Sequence, residues 1–91
     1  MLNSFVSWAS QICSLPAYLA FQPSLKINKI SDNSSATLDF EGENFIGRLT
    51  FWNDGSYFIE IIDLNTAETI FAKKGYAMST AEINKVFQDA I

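Results

Sequence analysis

The side chains of this chain that could carry out a reaction are three carboxylates, Asp39, Glu41 and Glu60. Paired carboxylates can act as general acid and general base, and alternation along a strand places Asp39 and Glu41 on one face, where Glu60 could approach them across strands. Such chemistry needs a pocket that excludes water, and a single sheet built from 91 residues offers little room for one. We therefore expect no catalytic residues and no enzymatic activity.

Other reactive groups are scarce. The chain has no histidine and a single cysteine, Cys13, which removes the usual general base, the Ser-His and Cys-His pairs, metal sites of the Cys and His type, and any internal disulfide. Cys13 is expected in the core. The four glycines are isolated from one another, so no phosphate-binding loop is present. We expect neither a cofactor nor a metal ion.

Composition restricts the partners and the compartment. The formal net charge of −4, from ten acidic and six basic side chains, opposes binding to nucleic acid. No charge precedes Lys26, but Pro16 and scattered Ser, Asn and Gln interrupt that stretch, which therefore predicts neither a secretion signal nor a membrane span. A lone cysteine suits a reducing compartment. We expect a cytoplasmic protein that contacts neither nucleic acid nor membrane.

A β-hairpin must position the central charged residues. Two β-prone runs flank Asn53, Asp54 and Gly55, and a glycine there can adopt the positive φ that closes such a turn. A three-residue loop places apolar residues opposite each other, Phe51 against Tyr57, and Arg48 against Glu60, whereas a two-residue loop would set charged against apolar residues. We therefore predict the three-residue loop, with a surface ion pair between Arg48 and Glu60.

The hairpin belongs to a larger predicted sheet. Strand patterns occupy residues 25–30, 36–41, 45–52, 56–64 and 68–73. The links between them are too short for parallel crossovers, so the strands form an antiparallel meander. The sequence predicts an α+β fold, with one five-stranded meander sheet and an N-terminal and a C-terminal helix packed mainly on one face. Residues 1–91 form a single domain.

The N-terminal helix is predicted from apolar residues at helical spacing. Asn3 or Ser4 is expected to cap its start, and residues 15–24 are expected to cross the surface with Leu19 and Phe21 tucked inward. The apolar stripe consists of Phe5, Trp8, Ala9 and Ile12.

The C-terminal helix has the clearest start. Ser79 and Glu82 form a predicted capping box, and Met78 is expected to pack on Ile83 as a hydrophobic staple. Its buried stripe consists of Ile83, Val86, Phe87 and Ala90.

The sheet face turned away from the helices is mixed in character. Antiparallel sheets often keep one wet face, which normally carries few large apolar groups. Trp52 and Phe58 on that face therefore indicate either a contact surface or a position covered by the 22–23 loop or the N-terminal segment, and the pattern leaves both open. The residues predicted on this face are Asp39, Glu41, Ile46, Arg48, Thr50, Trp52, Phe58, Glu60 and Ile62.

The hairpin resembles the TriTu family of bacterial immunity proteins. The resemblance is carried by residues 46–55, IGRLTFWNDG, and residues 57–63, YFIEIID, and it covers the chain from Ala36 onward. It implies a cytoplasmic antitoxin without catalytic residues, which binds the C-terminal domain of a cognate polymorphic toxin as a heterodimer. The toxin is implied to be an ADP-ribosyltransferase that modifies elongation factor Tu.

The resemblance implies a binding surface, and its position is a hypothesis. The acidic residues are expected to mimic the NAD phosphates or to pair with toxin arginines, and whether Arg48 and Trp52 touch the toxin or hold the hairpin is left open. The alternative function is a non-catalytic interaction module, such as an adaptor, a chaperone or an accessory subunit. The expected toxin-binding residues are Asp39, Glu41, Arg48, Trp52, Asp54, Phe58 and Glu60.

Overall fold

The computed structural model describes residues 2–28 and 34–90. Its elements confirm the α+β class and add a short 3₁₀ helix. Lys29 and Ile30, which end the first predicted strand, lie outside the described residues. The elements are α1 (Leu2–Ser14), the 3₁₀ helix (Pro16–Phe21), β1 (Ser24–Asn28), β2 (Ser35–Glu41), β3 (Phe45–Trp52), β4 (Ser56–Asp63), β5 (Thr69–Tyr76) and α2 (Thr80–Ala90).

The five strands form one antiparallel meander in the order β1-β2-β3-β4-β5. The central hairpin has the predicted register, with Phe51 opposite Tyr57. Gly55 closes the turn with a φ of 94°, and its N–H donates to the carbonyl of Trp52 at 3.0 Å. The last strand is longer than predicted, because residues 74–76 continue to pair with β4.

Both helices pack on the same side of the sheet. The ring of Phe5 on α1 meets Phe51 on β3 nearly edge-on, with the ring centroids 5.0 Å apart. The ring of Phe87 on α2 meets Phe40 on β2 in the same way at 5.2 Å. Trp8 joins the two helices, since its ring lies 5.5 Å from that of Phe87. The predicted one-sided packing is therefore confirmed, and the core lies between the helices and this side of the sheet.

Gly47 makes room for one of the core rings. It lies opposite Phe40 in the β2–β3 pair, and a Cβ atom built on Gly47 would stand 2.3 Å from Cε2 of that ring. Real Cβ atoms do not approach carbon so closely, because van der Waals contact begins at about 3.5 Å. The buried Phe40 ring thus rests on the bare backbone of the neighbouring strand.

The start of α1 differs from the prediction. The helix begins at Leu2, so Asn3 and Ser4 lie within its first turn rather than in the capping position. The N–H of Leu2 donates to Oδ1 of Asn53 at 3.4 Å. A residue of the β3–β4 loop, distant in sequence, therefore supplies an acceptor that the local sequence was expected to supply.

The 3₁₀ helix corrects the prediction for Leu19. Residues three apart eclipse each other in this helix type, so Tyr18 and Phe21 share the side that packs against the core, and Leu19 is exposed. The prediction for Phe21 is confirmed. Cys13 is only partly buried at the margin of the core, and this burial raises the pKa of its thiol.

The start of α2 has half of the predicted capping geometry. Oγ of Ser79 accepts a hydrogen bond from the N–H of Glu82 at 3.3 Å, while the Glu82 carboxylate accepts from the N–H of Met78 at 3.2 Å. The predicted hydrophobic staple is wrong, because Met78 is exposed and its neighbour Ala77 takes the buried position.

Candidate functional site

The side of the sheet opposite the helices is the candidate site, and we call it the outer face. Side chains alternate along a strand, so the strand register assigns every second residue to it. Residues on the outer face include Lys26, Thr37, Asp39, Glu41, Ile46, Arg48, Thr50, Trp52, Phe58, Glu60, Ile62, Lys74 and Tyr76.

A row of charges crosses the middle of the outer face. Arg48 on β3 lies directly opposite Asp39 on β2 and Glu60 on β4. Nε of Arg48 donates to Oδ1 of Asp39 at 2.7 Å, and Nη2 donates to Oδ2 at 3.4 Å. The hydrogen bond and the charge of Asp39, with a smaller contribution from Glu60, raise the pKa of Arg48.

The predicted ion pair between Arg48 and Glu60 is therefore wrong in its partner. A guanidinium presents a planar fork of donors, and this fork is engaged by both oxygens of Asp39. Glu60 attracts Arg48 only at longer range. The bridge is solvent-exposed, and such pairs stabilise a fold by less than about 1 kcal/mol.

Two carboxylates of the outer face keep their acceptors available. Glu41 is exposed and Glu60 is half-buried, and neither forms a hydrogen bond or a salt bridge within residues 2–28 and 34–90. Together with Asp39 and Arg48 they line an open depression of about 510 Å³. The depression is partly open to solvent and has charged residues at its centre.

The sequence left open that the 22–23 loop or the N-terminal segment covers Trp52 and Phe58, and the structure places both segments elsewhere. Phe58 is 38% exposed, and Trp52 is half-buried. The 22–23 loop reaches only the opposite end of the face, where Gln22 lines the depression. The N-terminal segment forms α1 and packs on the other side of the sheet. Neither of the two segments that were expected as a cover therefore lies over Phe58.

Asp54 lies in the loop at one end of the outer face. Its Oδ1 accepts hydrogen bonds from the backbone N–H of Ser56 at 2.9 Å and from its hydroxyl at 2.6 Å. The same loop is held by Asn53, whose N–H donates to the carbonyl of Ser34 at 2.9 Å, and by Gly55, whose carbonyl accepts from Ala77 at 2.9 Å. Asp54 therefore contributes to the hairpin turn at the end of the outer face that carries Trp52 and Phe58, and Glu41 lies at the opposite end.

Tyr76 is a residue of this face that the sequence analysis missed. It lies opposite Ser56, and its side chain is 71% exposed. The predicted fifth strand ended at Lys73, so Tyr76 had no place in the sheet. Its alternation with Lys74 and its high preference for strands were the available indications.

Two further kinds of feature, a metal-binding group and a membrane-spanning helix, are absent from the described part of the chain. Within residues 2–28 and 34–90, no three acidic or cysteine side chains come together as a group that could hold a metal ion. In the same ranges, no helix has the length and apolar character that crossing a bilayer requires.

Comparison with known families identifies a match over nearly the whole chain. The model of a family described as immunity protein TriTu matches residues 3–91, nearly the whole chain. The match includes the N-terminal region, which the sequence resemblance did not reach. No curated protein matches the chain.

Proposed function

The chain belongs to the TriTu family of immunity proteins, and from this premise we propose that it is the antitoxin of a cognate bacterial ADP-ribosyltransferase toxin that acts on elongation factor Tu. It binds the C-terminal toxin domain as a heterodimer in the cytoplasm and occludes it, without catalysis, cofactor or metal ion. The immunity role is that of the family. The toxin class and the target are supported by the resemblance of residues 46–63.

The observation that carries the proposal is the one-sided packing of the helices. Because α1 and α2 cover the same side, the outer face is left with the features of a binding patch, aromatic residues beside charged ones. The toxin-binding residues are Asp39, Glu41, Arg48, Trp52, Phe58 and Glu60, with Asp54 in the adjoining loop.

The outer face has a suitable size. The face is five strands wide, with strands about 4.8 Å apart, and four rows of side chains long, with rows about 6.7 Å apart. These spacings give a projected area of roughly 400 Å². A standard interface buries about 800 Å² of accessible surface on each partner, and projecting side chains raise the accessible area above the projected one. The face and the loop at its end are together of the order that a stable complex requires.

Rigidity and charge also support this role. A preformed sheet loses little conformational entropy on binding, which favours high affinity. The net charge of −4 and the carboxylates of Glu41 and Glu60, which have no hydrogen-bond or ion-pair partner among residues 2–28 and 34–90, favour a toxin surface that is basic, since complementary charge speeds association. These carboxylates are suited to pair with toxin arginines or to occupy the place of the NAD phosphates.

Co-expression tests the proposed function. The protein encoded directly upstream of this gene is expressed as the candidate toxin in bacteria, with and without the chain, and the mass of elongation factor Tu is measured. We expect survival and unmodified elongation factor Tu when the chain is present, and death with an added ADP-ribose when it is absent. Death despite an accumulated, folded chain would leave the adaptor, chaperone or accessory-subunit functions as the alternatives.

A charge-reversal variant tests the surface. Asp39→Lys with Glu60→Lys adds two positive charges at each site and brings the formal net charge from −4 to 0. We expect loss of protection by a chain that still folds: the Asp39 bridge is exposed, so the repulsion between the two lysines and Arg48 lowers the melting temperature only modestly. The matched control, Glu68→Lys with Asp89→Lys, makes the same charge change in the β4–β5 turn and on α2. Equal loss in both variants would assign the effect to net charge.

A further inference from the structure

Three aromatic side chains occupy one end of the outer face. Phe58 lies opposite Thr50 on β3 and Lys74 on β5. Trp52 follows Thr50 by two residues and Tyr76 follows Lys74 by two residues, so both are diagonal neighbours of Phe58, at Cα distances of about 7–8 Å. We call Trp52, Phe58 and Tyr76 the aromatic end.

Core packing does not explain the aromatic end. The ring contacts among the described residues all lie on the helix side of the sheet. Tyr76 is 71% exposed, although its backbone is held by pairing with Ser56 and by the bond from the N–H of Ala77 to the Gly55 carbonyl. A fixed backbone that presents an exposed aromatic ring is the usual anatomy of a binding anchor, because tyrosine loses little side-chain entropy on contact.

The charges on the outer face are separated by rows. Lys26 and Lys74 stand at the two edges of the row that contains Phe58. The carboxylates occupy the next rows away from the hairpin loop, with Asp39 and Glu60 in one and Glu41 beyond it. We call Asp39, Glu41 and Glu60 the acidic end. Among the described residues, the cation opposite these three negative charges is Arg48, so the described part of this end is net negative.

We propose that the two ends of the outer face have separate roles in binding. The aromatic end holds the bound toxin in place, and the acidic end steers the toxin to the face by electrostatic attraction. This rests on the proposed function. The partner surface that fits has a basic patch beside an apolar recess, with their centres about 10–15 Å apart, since neighbouring rows on one face are about 6.7 Å apart. This proposal adds Tyr76 to the toxin-binding residues.

The two ends differ in the rate constant that they control. Exposed charges act over about a Debye length and raise the association rate constant, kon, in a way that salt suppresses. The contacts of a desolvated aromatic anchor break only when the complex separates, so replacing such an anchor raises the dissociation rate constant, koff.

Binding kinetics with the toxin domain encoded beside this gene test the aromatic end. Tyr76→Ala should raise koff about 30-fold, the effect of a typical anchor residue, and leave kon within about threefold. Ile70→Ala is the matched control, because Ile70 is 59% exposed on the same strand but lines a groove beside Ala90 on the helix side. Melting temperatures establish that both variants are folded. An unchanged koff for Tyr76→Ala overturns the inference.

The acidic end is tested with Glu41→Lys against Asp89→Lys, which makes the same charge change on α2. Glu41→Lys should lower kon about tenfold at low salt, with the difference vanishing near 0.5 M NaCl, where the Debye length is about 4 Å. A change confined to koff overturns the inference while leaving the proposed function intact. Absence of toxin binding by the unmodified chain overturns both. A dimer of the free chain that Tyr76→Ala dissociates, detected by light scattering, would assign the aromatic end to a second copy and also overturn the inference.

Discussion

Replacement of Gly47 by alanine tests the packing of Phe40 on the helix side of the sheet. The added Cβ would stand 2.3 Å from Cε2 and 2.4 Å from Cζ of Phe40. Ordinary carbon contacts begin near 3.5 Å, so the ring must move by about 1 Å. Phe40 is fully enclosed, and its ring already meets Phe87 at 5.2 Å. Neither the strand nor α2 leaves room for this displacement.

The expected cost follows from these distances. Overpacking a filled core destabilises a protein by about 1–3 kcal/mol, and the short contact places Gly47→Ala in the upper part of that range. Alanine also reduces the conformational entropy of the unfolded chain relative to glycine, which stabilises the folded state by about 0.4–1 kcal/mol. The net destabilisation is about 2 kcal/mol, which lowers the melting temperature of a domain of this size by roughly 8–16 °C.

Urea denaturation followed by circular dichroism measures this change. The matched control is Gly75→Ala, whose Cβ would meet the hydroxyl oxygen of Tyr57 at 3.0 Å and ring carbons beyond it, and we expect a smaller change from it. Combining Gly47→Ala with Phe40→Leu removes the ring that is in the way, so the two substitutions should couple favourably by at least about 1 kcal/mol. Full stability of Gly47→Ala, or additivity in the double variant, would refute the packing of Phe40 on Gly47.

Two further predictions concern the hairpin loop and the thiol. Gly55→Ala should destabilise the fold by about 1–2 kcal/mol in urea denaturation, because Gly55 has a φ of 94° that L-residues avoid. Gly55→Asn should cost less, and equal stability of the alanine variant would contradict the turn geometry. Burial raises the pKa of Cys13, so the midpoint of its pH profile for alkylation by iodoacetamide should lie above that of the urea-unfolded chain. An alkylation midpoint equal to or lower than that of the unfolded chain would contradict the raised pKa. The contribution of the raised pKa to stability is fully present below the ordinary thiol pKa of about 8.5, and it is lost as the pH rises through the pKa of the folded state.

The errors of the sequence analysis share a cause. The cap of α1 was expected from Asn3 or Ser4, yet the acceptor is Asn53, which the fold brings from the hairpin loop. Leu19 was expected inside, but the 3₁₀ helix turns Tyr18 and Phe21 to the core instead. In both cases a contact with a residue distant in sequence, Asn53 for Leu2 and Phe87 for Tyr18, accompanies the arrangement that differs from the prediction.

The sequence by itself determined the meander and the register of the hairpin. A period of two residues fixes which strand positions share a face, and a turn at Gly55 fixes the pairing, so neighbouring residues carry this information. The lack of histidine and the single cysteine are likewise properties of composition.

Only the tertiary structure decided that Arg48 binds Asp39 rather than Glu60 and that Tyr76 joins the outer face. Both acids lie opposite Arg48 in the register, and the choice depends on where one guanidinium fork meets both oxygens of a carboxylate. Tyr76 is placed by the length over which β5 stays paired with β4. Such outcomes depend on distances of a few ångströms between separate strands, which no local pattern encodes.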